Sequence, residues 1–128
     1  METIERFPVA NSLASMRLPF SEAVRVGPIL YLSGALGIDP SGALVPGGIE
    51  AETRQVLANI RAILERHGSS MDRVIKATVM LADMAEWPAM NRVYVEFFPT
   101  NLPARSAFGA SGLALGGRVE IEVIALVG

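Results

Sequence analysis

The stretch Asn101–Val127, NLPARSAFGASGLALGGRVEIEVIALV, decides how the chain folds. Within it, Val119-Glu120-Ile121-Glu122-Val123-Ile124 alternates apolar and acidic residues before the chain becomes wholly apolar, the pattern of a strand with one covered face. The two-residue period sends Glu120 and Glu122 to the same side. Two acids set among valine, isoleucine and leucine are either solvated edge charges or acids lining a cleft. Upstream, a proline-marked entry delivers Arg105 among small residues, and the glycine-rich turn GLALGG (112–117) leads on to the strand. If the segment before those glycines pairs with the strand, Arg105 enters the same sheet as Glu120. That pairing is the best lead to chemistry in the chain.

Working back toward the amino terminus, Asp83 begins a helical stretch through Met84, Trp87, Met90, Asn91, Tyr94 and Phe97 or Phe98. Asp83 suits an N-cap, Glu86 three residues on completes a capping box, and Pro88 belongs in the first turn. Trp87, Tyr94 and Phe98 form a stripe that reads as core packing. Before it, Met71–Leu81 has strand character, with Val74, Ala77 or Thr78, and Val79 as packed positions. A longer helix is predicted over 49–67, where Thr53, Val56, Leu57, Ile60, Ile63 and Leu64 recur at helical spacing. Gly68 stops it, and Arg66 and His67 suit its negative end. His67 has no acidic partner at metal-ligand spacing in sequence.

Earlier still, Ser21–Val26 and Ile29–Ser33 flank the turn signal Gly27-Pro28 and read as a hairpin. Ser33-Gly34-Ala35 closes it with small residues. Such a place is either a sheet bulge or turn, or a point where backbone N–H approaches a ligand closely. A short strand continuation is expected near Leu44-Val45. Met1–Phe20 is irregular, with Phe7 or Leu18 as candidate anchors. The element order β-β-(β)-α-β-α-β-β points to an α/β (α+β) domain spanning residues 1–128, a sheet with two helices on one face. Its other face must also be hidden, and self-association is the economical way to hide it.

At 128 residues the chain has room for one real core. Its 51% apolar and 19% charged residues suit an ordered protein with apolar surface left for a subunit interface. A net charge of −2 without a basic block does not favour a nucleic-acid binder. The lack of cysteine excludes disulfides and thiolate nucleophiles. No signal peptide or membrane span is apparent in the pattern, so the expected location is cytoplasmic. Neither glycine-rich piece is a phosphate loop or a dinucleotide fingerprint, and no GxSxG elbow exists. Arg105, Glu120, Asn91, Ser33 and backbone amides remain. Arginine grips a carboxylate through two parallel donors, and glutamate orients water. An arginine beside a glutamate is also an ordinary structural ion pair.

YLSGALGIDPSGALV, the 53–84 segment TRQVLANIRAILERHGSSMDRVIKATVMLADM, NRVYVEFFP, LPARSAF and VEIEVIAL together resemble the Rid family, also called YjgF or endoribonuclease L-PSP proteins, from about Phe20 to Val127. The resemblance implies a chorismate-mutase-like subunit, with a single-layer mixed sheet and two helices on one face. It also implies a homotrimer with ligand clefts between subunits. The implied activity is hydrolysis of 2-imino or enamine acids, such as 2-aminoacrylate or 2-iminobutanoate, to 2-oxo acids and ammonia, with no cofactor and no metal. Arg105 would bind the substrate carboxylate and Glu120 would hold and activate water. Ser33 and Gly34 would line the pocket near the imine, with Asn91 in its wall or polar network. Phe20 stands where that branch usually has tyrosine, Ala107 where it often has cysteine, and Ala35 where it often has glutamine. A non-catalytic trimer that binds small carboxylates is the alternative. Of the two acids, Glu120 takes the catalytic role, while Glu122 is expected to pair with Arg118 or Arg73.

Overall fold

The computed structural model describes residues 3–10 and 16–128. Among the described residues seven strands form one mixed sheet: β1 Ile4–Pro8, β2 Ser21–Val26, β3 Ile29–Leu32, β4 Ala35–Leu36, β5 Val74–Leu81, β6 Ala104–Gly109 and β7 Val119–Leu126. The order across it is β1-β2-β3-β7-β5-β6, and β4 also pairs with β7. All pairings are antiparallel except that of β5 with β6. The decisive strand β7 is therefore central. Its odd residues Val119, Ile121, Val123 and Ala125 are buried, while Glu120 and Glu122 share the other face.

Two helices, α1 Gly48–Arg66 and α2 Trp87–Phe97, cover the odd-residue face. Thr53, Val56, Leu57, Ile60 and Leu64 make the buried stripe of α1, spaced as the sequence requires. The helix ends at Arg66 with His67 as its C-cap, and Gly68 follows with φ +79°, a conformation that favours glycine. Asn59 of α1 donates to the carbonyls of Leu36 and Ile38 at 3.1 and 2.9 Å, tying the helix to the end of β4. The uncovered face carries exposed Tyr31 and Phe108, with Lys76, Thr78, Met80, Glu120, Glu122 and Ile124 between them.

Several expectations are corrected. The irregular arm contains the edge strand β1, which pairs with β2, and residues 11–15 lie outside the described residues. Phe7 anchors that strand by packing its ring on His67, centroids 4.3 Å apart. Leu44-Val45 is no strand: Leu44 makes an isolated bridge to Ile38, and Val45 N–H donates to the Gly37 carbonyl. The short strand lies at Ala35–Leu36 instead. Asp83 caps only a 3-10 turn, Met84–Glu86, by accepting from Ala85 N–H, and α2 starts after it at Trp87. Glu86 forms no capping box because its carboxylate goes to Arg118 at 2.5 Å. In the aromatic stripe Tyr94 and Phe98 are core residues, but Trp87 is 39% exposed.

Candidate functional site

Glu120 sits on β7 opposite Leu36 of β4 and Met80 of β5. Its position follows from an irregularity between β3 and β4. Tyr31 opposes Ile124 and Ala35 opposes Ile121, so four residues of one chain segment span three of the other. The extra residue makes Ser33-Gly34 a bulge, a device that re-aims side chains beside sites. The Glu120 carboxylate lies against it: a Cβ built on Gly34 would overlap Glu120 Oε2 and lie 2.9 Å from its Cδ. Among the described residues no hydrogen bond or ion pair reaches that carboxylate. Burial pushes its pKa above the ordinary value, and the Glu122 charge adds to the push. A carboxylate so placed is a better proton acceptor than an exposed one.

Glu122 is not paired with Arg118 or Arg73. Arg118 is engaged by Glu86 and Glu52, and Arg73 Nε reaches the Leu126 carbonyl. The buried Glu52 carboxylate also accepts from Arg118 N–H at 2.9 Å, which clamps the glycine-rich turn onto α1 just before β7 begins. Glu122 stands exposed beside Tyr31, Lys76 and Thr78 in a shallow depression of about 220 Å³.

Ser33 and Gly34 share a wall with Phe20 in a largely apolar cleft of about 400 Å³, which Leu36 and Ile63 also line. Ser33 has little to offer a ligand here, because its Oγ donates to the Ser21 carbonyl at 2.6 Å and its N–H donates to the Glu22 carbonyl. Beneath the same cleft lies a cluster that sequence spacing hid. The buried Glu22 carboxylate accepts from Arg66 at 2.7 Å and meets His67 Nε2 at 3.0 Å. Burial pushes the Glu22 pKa up, but hydrogen bonds from Arg66 and His67 prevail and hold it below its ordinary range. His67 does have an acidic partner, brought from 45 residues away by the β2–α1 packing.

Arg105 is elsewhere. Its strand β6 pairs with β5, not with β7, because β5 is inserted between them. Arg105 lies opposite Ala77, a buried residue of the helix-covered face, and so points away from the face of Glu120. Two strand steps and three residues separate the two positions, on the order of 14 Å in the plane of the sheet. Within one chain they do not meet. Arg105 Nη1 donates to Asn91 Oδ1 of α2 at 2.7 Å, and its guanidinium carbon lies 4.7 Å from the Tyr94 ring centroid and 5.8 Å from that of Trp87. Ala107, two residues on along β6, shares its face and packs against the core. The candidate residues thus fall into two separate groups: Arg105, Asn91 and Ala107 near the β6 edge, and Phe20, Ser33, Gly34 and Glu120 around the bulge. That Trp87 and Tyr94 flank the Arg105 guanidinium was not legible in the sequence, because aromatic spacing on a helix looks the same for core and for a cation's walls. Among the described residues no cluster of His, Cys, Asp or Glu is arranged to hold a metal ion, and no helix is long and apolar enough to cross a membrane.

Known proteins resemble this chain over most of its length. The 2-iminobutanoate/2-iminopropanoate deaminase of Capra hircus is 50% identical over 111 residues, covering 86% of this chain and 81% of its own. That of Mus musculus is 42% identical over 130 residues, covering 100% and 96%. Among solved structures, the yeast protein YEO7 superposes with a TM-score of 0.89 at 34% identity, covering 98% of this chain and 100% of its own. RidA from the Antarctic bacterium Psychrobacter sp. PAMC 21119 gives 0.83 at 37%, covering 99% and 100%. The profile described as endoribonuclease L-PSP matches residues 11–127, and the chain belongs to that family, the Rid or YjgF proteins.

Proposed function

We propose that the chain hydrolyses small 2-imino acids and their enamine tautomers, such as 2-aminoacrylate or 2-iminobutanoate, to 2-oxo acids and ammonia, in a homotrimer with clefts between subunits. The observation that carries this reading is the Glu120 carboxylate, half-buried, partnerless and raised in pKa against the Ser33-Gly34 bulge. Relatives named as 2-iminobutanoate/2-iminopropanoate deaminases support it.

The chemistry asks little of the protein. Water adds to C2 of the protonated imine, its proton passes to Glu120, and the C–N π pair moves to nitrogen to give a carbinolamine. Glu120 returns the proton to that nitrogen, the C–N bond breaks with its electron pair leaving on ammonia, and the hydroxyl proton passes by way of Glu120 to that ammonia, giving the 2-oxo acid and ammonium. Arg105 receives the substrate carboxylate through the N–H groups that Asn91 leaves free. Holding water and imine in register supplies several kcal/mol, roughly, of the barrier reduction.

The placement of the two residues supports the assembly. One substrate cannot touch Arg105 and Glu120 of the same chain, since they occupy opposite faces of the sheet. A second copy that sets its β6 edge against the bulge brings the two groups together, and a closed ring of three copies satisfies every such heterologous contact. Exposed Tyr31 and Phe108 on the uncovered sheet face favour the same burial. Phe20, Ala35 and Ala107 bring no polar side chain to the cleft, which is what favours the binding-only alternative. Ammonia release from freshly generated 2-aminoacrylate separates the two. A rate above that of buffer supports hydrolysis, whereas the buffer rate together with measurable pyruvate binding leaves a carboxylate-binding protein. Sedimentation of a stable monomer would remove the shared cleft.

A further inference from the structure

The Tyr94 hydroxyl is the one buried side-chain polar atom among the described residues that makes no well-aligned hydrogen bond, although the Arg105 guanidinium lies near enough to act on it as a donor. Burial without a partner weakens a fold, and each such atom in a native protein requires an explanation. Packing does not provide one. Phe98, one turn further along, sets its ring centroid 4.7 Å from that of Tyr94 and is itself buried without any hydroxyl, so phenylalanine at position 94 would fill the same space. What lies beside the phenol is Arg105. The guanidinium carbon is 4.7 Å from the ring centroid, and the cation partly offsets the upward push of burial on the phenol's pKa. Asn91, three residues earlier on the same helix face, already holds Nη1 of that guanidinium at 2.7 Å.

We infer that Tyr94 is a positioning residue for the carboxylate end of the site: its ring sets the plane of the Arg105 guanidinium, and its hydroxyl oxygen is the acceptor for an inward N–H when a ligand carboxylate takes the outer edge. The inference rests on Arg105 being the carboxylate receptor. Asn91 and Tyr94 then hold the inner side of the guanidinium, and two parallel N–H groups face the ligand. A guanidinium fixed in plane loses less freedom on binding than one that swings. The hydroxyl thus opposes stability and serves binding, a trade that a purely structural tyrosine would not show.

Tyr94→Phe tests this directly. The variant should melt at or above the wild-type temperature. Its affinity for pyruvate, measured by calorimetry, should fall about tenfold, the effect of one hydrogen bond to a charged group. The KM for 2-iminopropanoate should rise by a similar factor while kcat stays within about twofold. In the pyruvate complex the Arg105 Nε–H resonance should be sharp in the wild type and exchange faster in the variant. Unchanged pyruvate affinity overturns the inference, and so does a clear loss of thermal stability, which would give the hydroxyl a structural role. Failure of the wild type to bind pyruvate also overturns it. Pyruvate binding without ammonia release would instead sink the deaminase reading and leave Tyr94 to be judged by the affinities alone.

Discussion

The Glu120 carboxylate occupies the place where a side chain on residue 34 would begin, its Cδ lying 2.9 Å from the Cβ that Gly34 lacks. The catalytic candidate and the bulge are thus shaped to each other. Gly34 has no positive φ to forbid alanine, so the backbone accepts the substitution and the flexible carboxylate has to move. Gly34→Ala should fold, with a stability change of about 1 kcal/mol or less by denaturant titration. Hydrolysis should drop by about a hundredfold, because displacement of a positioned group by an ångström is enough for that.

Glu120 should work against the fold at neutral pH. Its folded pKa is raised, so its contribution is fully present below the unfolded value near 4.5 and is lost as pH rises through the folded value. Glu120→Gln is therefore expected to melt above the wild type at pH 7, with the gap closing as the pH falls to about 4. A variant that is less stable at pH 7 would mean that the charged carboxylate is stabilised by contacts absent from this chain alone.

Glu22 behaves in the opposite sense. Its folded pKa lies below the ordinary 4.5, so the stability it contributes is present above that value and is lost as pH falls through the folded one. Breaking a fully buried pair costs roughly 3–5 kcal/mol, and the partial exposure of Arg66 reduces this to about 2 kcal/mol for Glu22→Ala. Thermal melts from pH 7 to pH 3 should show the wild type and variant converging in acid.

Arg105 makes one well-aligned hydrogen bond in its own chain, to Asn91, and otherwise lies beside the Tyr94 and Trp87 rings, so its removal should leave the fold intact. Arg105→Ala should lose about 2–5 kcal/mol of pyruvate affinity by calorimetry. Arg105→Lys should recover little of that, because an ammonium offers no planar pair of donors. Normal affinity in the alanine variant would return Arg105 to a structural role.

Much of this architecture is written in local pattern. The β2–β3 hairpin around Gly27-Pro28, the stripe of α1 and the alternation of β7 each follow from residues a few positions apart. The strand β1 was not legible because IERFP lies at the sheet edge, largely exposed, with no alternation to mark it. The candidate residues could be picked out one by one, but their arrangement could not. Whether Arg105 and Glu120 share a face depends on β5 entering between β6 and β7, a long-range pairing that neither segment encodes by itself. The Glu22–His67 contact and the Ser33-Gly34 bulge are likewise products of register between distant strands and helices.

On the proposed function, each working site takes Arg105 from one subunit and Glu120 from another. That arrangement is tested most directly by ammonia release from 2-iminopropanoate after Arg105→Ala and Glu120→Gln chains are unfolded together and reassembled in equal amounts. Each variant alone should be nearly inactive. In randomly mixed trimers about a quarter of the interfaces join an intact Arg105 to an intact Glu120, so the mixture should recover about a quarter of the wild-type rate. A mixture that forms trimers and remains as inactive as its two parents would contradict the account.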